Sequence, residues 1–392
     1  MKKLFSLLTL LGFAAGILFG LFFSEYCPYI SFLGTWYIKI LKVFIFPVIF
    51  TSIASTIYRT AKKRNGLVIK SVICFTVMFA ASFLISSLLV AVIDPAKGFV
   101  PFEGDWSGQS TDFSIVAVLS NLFPRNLSDV FVNPKVFFII LAAWLTGRIG
   151  ALFGKTEGFF EGIEKAKDLV VRILGYFMYL TPLAVFSLMA DTVSRYGSEL
   201  LGMGFSYIAA AYVCSAAVLL LVMILPVWLI CGIKPLAYVR RLMSIWIITI
   251  TTCSSAAALP YTVKLCRDEF GVPPEITDVV VPLGCTIHMC GGAVSFSLLG
   301  LFCARMYGIE INFPAFLLML AASLLINMAA PGIPGGGIVI GASYLAMFGI
   351  PLGFIGFYSG IYKFLDMSYT TLNVTGDISA NMILDRMIAK RP

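Results

Sequence analysis

The chain has 392 residues, of which 59% are hydrophobic, 14% aromatic and 12% charged. Soluble domains are roughly half apolar and a quarter charged, so this composition excludes an ordinary soluble protein and predicts an all-α integral membrane protein. The net charge of +8 would suggest a nucleic-acid partner in a soluble chain, but here the basic residues cluster in particular loops, so none is expected.

In chain order, Leu4 to Phe23 is uncharged and exceeds the ~20 residues that a helix needs to cross the hydrocarbon core. With Lys2 and Lys3 in front it has the outline of a signal peptide. The apolar run is longer than an h-region and lacks a small-residue cleavage site, so it is expected to stay as a span. Ile69 to Ile93, with only Lys70 near its start, and the uncharged Tyr207 to Cys231 are further spans. To about residue 232 the pattern predicts six helices, the fourth, around Asp112 to Thr146, interrupted by Pro124 and Pro134. The clusters Lys2/Lys3, Arg59/Lys62/Lys63/Arg64, Arg148/Lys155, Arg240/Arg241 and Lys390/Arg391 mark cytoplasmic segments, which puts both termini inside a plasma (inner) membrane. "DPAKGFVPFEGDWSGQSTD" (94 to 112) reads as an external loop. Nine scattered cysteines, an odd number, are not a disulfide framework.

Beyond Lys234 the apolar segments shorten and are broken in mid-stretch by "TTCSSAAALP" (251 to 260) and "AAPGIPGGG" (329 to 337). Unpaired amides in hydrocarbon are costly, so irregular backbone at that depth must pack in protein or line a wet cavity. Two such breaks predict re-entrant hairpins at a binding site; two proline-kinked spans are the alternative.

Between them lies "GCTIHMCGG" (284 to 292), with the chain's one histidine, His288. Cys285, His288 and Cys290 could form a soft-metal cluster, but no second Cys/His pair follows at zinc spacing. A hydrogen-bonded core histidine and a protonatable group are the other readings, since imidazole titrates near neutrality. In "FLDMSYTTLNVTGD" (364 to 377), Asp366, Thr370, Asn373 and Asp377 recur every three or four residues and share one helix stripe. Ionisable residues inside a membrane are by default substrate or ion ligands. Hard oxygen donors suit Na⁺, and an aspartate could instead receive an ammonium group. Lys363 could neutralise Asp366 within the helix.

At this point the chain resembles the dicarboxylate/amino acid:cation symporter family over nearly its whole length. "LKVFIFPVIFTSIAST" (41 to 56) is similar to its second helix, "FMYLTPLAVFSLMA" (177 to 190) to its fifth, "SSAAALP" and "GIPGGG" to its hairpin tips, and "NVTGD" (373 to 377) to its last-helix signature. The resemblance implies a homotrimer in membrane lipid, each subunit with eight transmembrane helices, two re-entrant hairpins and inverted repeats, working as an elevator. It implies a six-helix half, 1–232, that is mainly scaffold, with its third and sixth helices joining the transport domain. The transport core, 233–392, would hold hairpin 1 at about 236–266, helix 7 at about 276–306, hairpin 2 at about 313–350 and helix 8 at about 354–388. By the same resemblance the substrate residues are Ser254, Ser255, Thr286, Gly332, Asp366, Tyr369, Thr370 and Asn373. Na⁺ would be bound by Asp377, Asn373, Gly284, His288 and Met289.

Two departures stand out. The family's seventh helix usually reads Asn-Met-Asp-Gly-Thr, where this chain has His288-Met289-Cys290-Gly291-Gly292, and its third helix reads Tyr-x-x-Thr-Ser, where this chain places Phe75, Met78 and Phe79. One cation site is therefore expected to be lost, with His288 as a possible proton site. Acid carriers place an arginine where this chain has Tyr369 or Cys253, so a neutral substrate is expected before an acidic one. The expectation is a symporter of a small amino acid coupled to Na⁺, with fewer ions than usual, and not an enzyme. The alternatives are an H⁺-coupled glutamate/aspartate or C4-dicarboxylate carrier, and a receptor or anion channel on the same fold.

Overall fold

A computed structural model describes residues 2–62, 66–99, 136–153, 156–197, 199–328 and 336–389, and among these the regular structure is helical throughout. Helix α1 (Lys2–Phe22) turns through the short 3-10 segment Ser24–Tyr26 into α2 (Cys27–Lys62), with an angle of 108° between Leu11–Phe22 and Ser24–Tyr37. Then follow α3 (Gly66–Ile93), α4 (Val136–Leu152), α5 (Glu157–Phe177) and α6 (Thr181–Tyr196), the last two bent by 55° at Met178–Leu180. Helix α7 (Glu199–Val218) runs through a π-helical turn, Leu219–Ile224, into α8 (Leu225–Cys231). The second half consists of α9 (Pro235–Thr252), α10 (Ser255–Asp268), α11 (Pro274–Ile287), α12 (Cys290–Met306), α13 (Phe313–Asn327), α14 (Gly336–Met347) and α15 (Gly353–Ala389). Of the expected fourth helix only Val136–Leu152 is seen; Pro124, Pro134 and the loop beyond Phe99 lie outside the described residues.

Among the described residues three straight stretches are long and apolar enough to cross a bilayer, Gly66–Ile93, Gly202–Cys231 and Pro274–Met306, and two bent helix pairs reach the same length and hydropathy together. The straight three differ in surroundings. In the most apolar window, 89% of the third is buried inside the protein, against 39% of each of the other two. The third is thus enclosed by other helices, while α3 and α7 each keep a lipid-ready side.

Helix α1 lies along α6, and its sequence shows why. Gly12, Gly16 and Gly20 form a stripe at four-residue intervals, and a Cβ at Gly16 or Gly20 would come within 2.6 Å of Phe186 O or 2.7 Å of Ala190 O. Small residues let two backbones approach where lipid supplies no hydrophobic drive. Helix α2 packs on α4, α5 and α6, and α3 packs on α12, α11 and α7. At the centre runs α15, touched by α6 to α12 and by α14.

Candidate functional site

The sequence break at 251 to 260 becomes two helix ends packed near α15, whereas 329–335 of the second break lie outside the described residues. Helix α9 stops at Cys253, whose φ of 47° is left-handed, and α10 starts at Ser254, whose Oγ accepts the Ala257 amide at 3.3 Å. That is an N-cap, the usual way to satisfy an amide left over at a helix start. Helix α11 ends at Ile287, His288 and Met289 are extended, and α12 restarts at Cys290. The Gly291 amide freed by this break donates to Asn373 Oδ1 on α15 at 2.7 Å.

Ser255, Met289, Gly292 and Gly337, from the starts of α10, α12 and α14, line one small cleft with Asp366, Tyr369, Thr370 and Asn373 of α15. Helix starts carry unsatisfied amides and the positive end of the dipole, so this cleft favours an anionic group beside them. Asp366 is the carboxylate in the wall, and it accepts from Thr370 Oγ1 at 3.0 Å. One turn earlier on α15, Lys363 Nζ donates to Cys253 Sγ at 3.0 Å.

Asp377 lies outside this cleft, one helical turn beyond Asn373. Its Oδ1 is 3.0 Å from His288 Nδ1, and the other ring nitrogen, Nε2, is 3.1 Å from Cys290 Sγ. The two side chains are 0% and 2% exposed, so water does not screen their interaction. Phe75 of α3 stacks on the imidazole at 4.5 Å between centroids and 10° between planes. Gly284 admits the carboxylate, since a Cβ there would collide with it, and Gly376 admits the ring, since a Cβ there would lie 2.9 Å from Cε1.

This arrangement accepts a proton without moving a heavy atom. In the neutral ring, Nδ1–H donates to Asp377 and Nε2 accepts from the Cys290 thiol; in the charged ring, Nε2–H donates to the sulfur instead. Both nitrogens stay satisfied in either state. Among the described residues no group of three or more His, Cys, Asp or Glu is placed to hold a metal, which removes the soft-metal reading of Cys285, His288 and Cys290.

Of the expected substrate residues, Ser255, Asp366, Tyr369, Thr370 and Asn373 line the cleft and Ser254 caps the helix beside it. Thr286 does not: it is exposed and lines a second crevice with Ser55, Arg59 and Asp278. Gly332 lies outside the described residues. Of the expected Na⁺ donors, Met289 faces the cleft, while His288 and Gly284 surround Asp377. Asn327, at the end of α13, lines the cleft and was not foreseen. Its signal was available, as a lone amide in the apolar run "FLLMLAASLLIN".

The model of the sodium:dicarboxylate symporter family matches residues 5–387. The chain belongs to this family. A proton/glutamate-aspartate symporter of Bacillus subtilis is 24% identical over 98% of this chain and 95% of its own length. A proton/sodium-glutamate symport protein of Geobacillus stearothermophilus is 24% identical over 96% and 92%, respectively. A C4-dicarboxylate transport protein of Anaeromyxobacter sp. (strain K) is 26% identical over 96% and 88%. Family membership and the apolar helices make the chain a multi-pass membrane transporter of the cation-coupled symporter type, a class of carriers and not of enzymes.

Proposed function

We propose that this chain carries a small amino acid across the plasma membrane and that the coupling cation is a proton held by His288 and Asp377. The observation that carries this reading is the 3.0 Å contact between Nδ1 and Oδ1 in a fully buried pair. A carboxylate taken out of water needs a partner, and the chain supplies one covalently. The rival Na⁺ site has few oxygens to spare, because Asn373 Oδ1 accepts the Gly291 amide at 2.7 Å and Gly284 O accepts the His288 amide at 2.8 Å. Asp366 receives the substrate ammonium, and the starts of α10, α12 and α14 face its α-carboxylate. Helices α1, α2 and α4 to α6 serve as the trimer scaffold, and α3 with α7 to α15 as the body that moves like an elevator.

The test is uptake into proteoliposomes of an amino acid chosen by thermal-shift screening, since a ligand of the native state raises Tm by mass action. A pH gradient, acid on the uptake side and without Na⁺, should drive accumulation, and a Na⁺ gradient at equal pH should not. His288→Gln should flatten the pH profile of uptake while substrate still stabilises the protein. Accumulation that follows Na⁺ with an unchanged pH profile in the variant would return the site to the Na⁺ reading.

A further inference from the structure

Lys363 and Cys253 meet at the edge of the cleft, and no step of the proposed transport uses either. Lys363 is half-buried on α15, and its Nζ stands 3.0 Å from the sulfur of Cys253 at the end of α9. Other thiols have quieter partners: Cys27 and Cys214 donate to backbone carbonyls, and Cys74 donates to the thioether of Met78. Cys253 is buried, yet it lines the cleft with Ser255 and Asp366, so a small solute in the cleft comes up against it. Its backbone is also unusual, with φ 47° and ψ 44° at a helix end where glycine is the ordinary choice. A side chain kept at such a position is a reason to look for a function.

Toward peroxides the thiolate is the nucleophile, and an ammonium in contact is the counter-charge that a thiolate needs. The thiolate attacks one oxygen of hydrogen peroxide, the O–O bond breaks, and the departing hydroxide takes a proton from the Lys363 ammonium to leave as water. Cys253 is then a sulfenic acid, with Lys363 as a free amine beside it. Sulfenic acids condense with nitrogen to sulfenamides. Here the amine nitrogen attacks the sulfur, the S–O bond breaks, and the hydroxyl leaves as water with a second amine proton. The sulfur has given up an electron pair, the peroxide has taken it, and an S–N bond joins α9 to α15.

We propose that Cys253 and Lys363 form a peroxide-sensitive modification site, a reversible sulfenamide bridge that closes the cleft to its substrate. The bridge removes a positive charge from the edge of the cleft. It also pins the end of α9 to α15, so the wall beside Asp366 loses the freedom to part around an entering solute. A dithiol reverses it: one thiolate attacks the Cys253 sulfur, the nitrogen leaves with a proton as the amine, and the second thiol then releases Cys253 from the mixed disulfide. The effect on transport rests on the reading of this cleft as the substrate site, whereas the bridge itself does not.

The test treats the purified full-length protein with hydrogen peroxide, digests it without reductant and reads the peptides by mass spectrometry. The same protein in proteoliposomes is assayed for uptake, before and after dithiothreitol. A linked Lys363–Cys253 peptide pair, lighter than its parts by the mass of a hydrogen molecule, should appear. Uptake should fall severalfold with it, and both changes should revert with reductant. Cys253→Ser should keep its own untreated uptake through the same exposure. Lys363→Arg presents a guanidinium that does not give up its proton, so the bridge should be missing and a loss of uptake should resist reductant, as a sulfenic acid without a partner goes on to the sulfinic acid. Absence of the bridge from the peroxide-treated unmutated protein would overturn the proposal, and so would an equal peroxide effect in Cys253→Ser. If the bridged protein still transports, Asp366→Asn locates the fault. Binding lost in that variant keeps the cleft as the substrate site and rejects the bridge as its closure, whereas binding retained rejects the reading of the cleft itself.

Discussion

Asp366 and Asp377 sit eleven residues apart on one helix, in surroundings that assign them different partners. Asp366 opens on the cleft and is bonded to Thr370, whereas Asp377 is sealed against an imidazole. Loss of one member of a buried charge pair costs about 3–5 kcal/mol. Asp366→Asn is therefore expected to weaken amino acid binding at least about 100-fold, as read by calorimetric titration, with the unliganded Tm little changed. Gly376→Ala should act on the other site, because its methyl would stand 2.9 Å from His288 Cε1. Overpacking of this kind costs about 1–3 kcal/mol. The fall in Tm caused by Gly376→Ala should be smaller in a His288→Ala background than in the otherwise unmutated chain, and equal falls in the two backgrounds would mean that the ring does not abut this glycine. The stripe of Asp366, Thr370, Asn373 and Asp377 was legible in the sequence because helical spacing is local. The pairing of Lys363 with Cys253 was not, since it joins residues 110 positions apart through the end of α9.

At the scale of elements, α9 and α11 stop inside the protein, and both stops have a chemical reason. "TTCSSAAALP" announces its break through the capping serine. The break at His288 and Met289 carries no proline or glycine at those positions and was expected to be continuous helix from about 276 to 306. Tertiary structure makes it: the amide released at Gly291 finds Asn373 Oδ1, and the imidazole released from the helix reaches Asp377. An internal break is sustained only when every freed backbone group is paired again. Helix α13 gives an independent check, because Asn312 Oδ1 accepts the Ala315 amide at 2.9 Å as its N-cap. Asn312→Ala should lower stability by about 1 kcal/mol, with Asn312→Ser restoring most of it in thermal unfolding. A substitution without effect on Tm would mean that this helix start does not contribute to the cooperative unit.

On the scale of the whole molecule, the proposed elevator requires α15 to slide past α6. The two helices meet where a Cβ at Gly356 would lie 3.6 Å from Leu188 Cβ, within the ~3.5–4.5 Å span of a disulfide. Oxidation of a Leu188→Cys, Gly356→Cys double variant should arrest uptake, leave substrate-induced stabilisation in place and be reversed by reductant. Undiminished uptake by the cross-linked protein would show that α6 and α15 travel as one body and would redraw the boundary between scaffold and moving domain. The predominantly helical, membrane-embedded architecture was legible from apolar run lengths. The enclosure of α11 and α12 was not, because hydropathy alone does not distinguish lipid from protein as the apolar neighbour.

The imidazole beside Asp377 is tethered to the chain, and this bears on the energy that the carrier can harvest. A bound metal ion brings its own concentration gradient and leaves on the far side; a fixed ring returns with the protein and contributes only the proton it picks up. Under the proton coupling proposed above, one ring would mean one proton per turnover. Each unit of pH difference is then worth about 1.4 kcal/mol, or a tenfold accumulation ratio before membrane voltage is counted. Such a carrier gathers its solute less steeply than one that draws in several ions, and in return it keeps working where sodium is scarce.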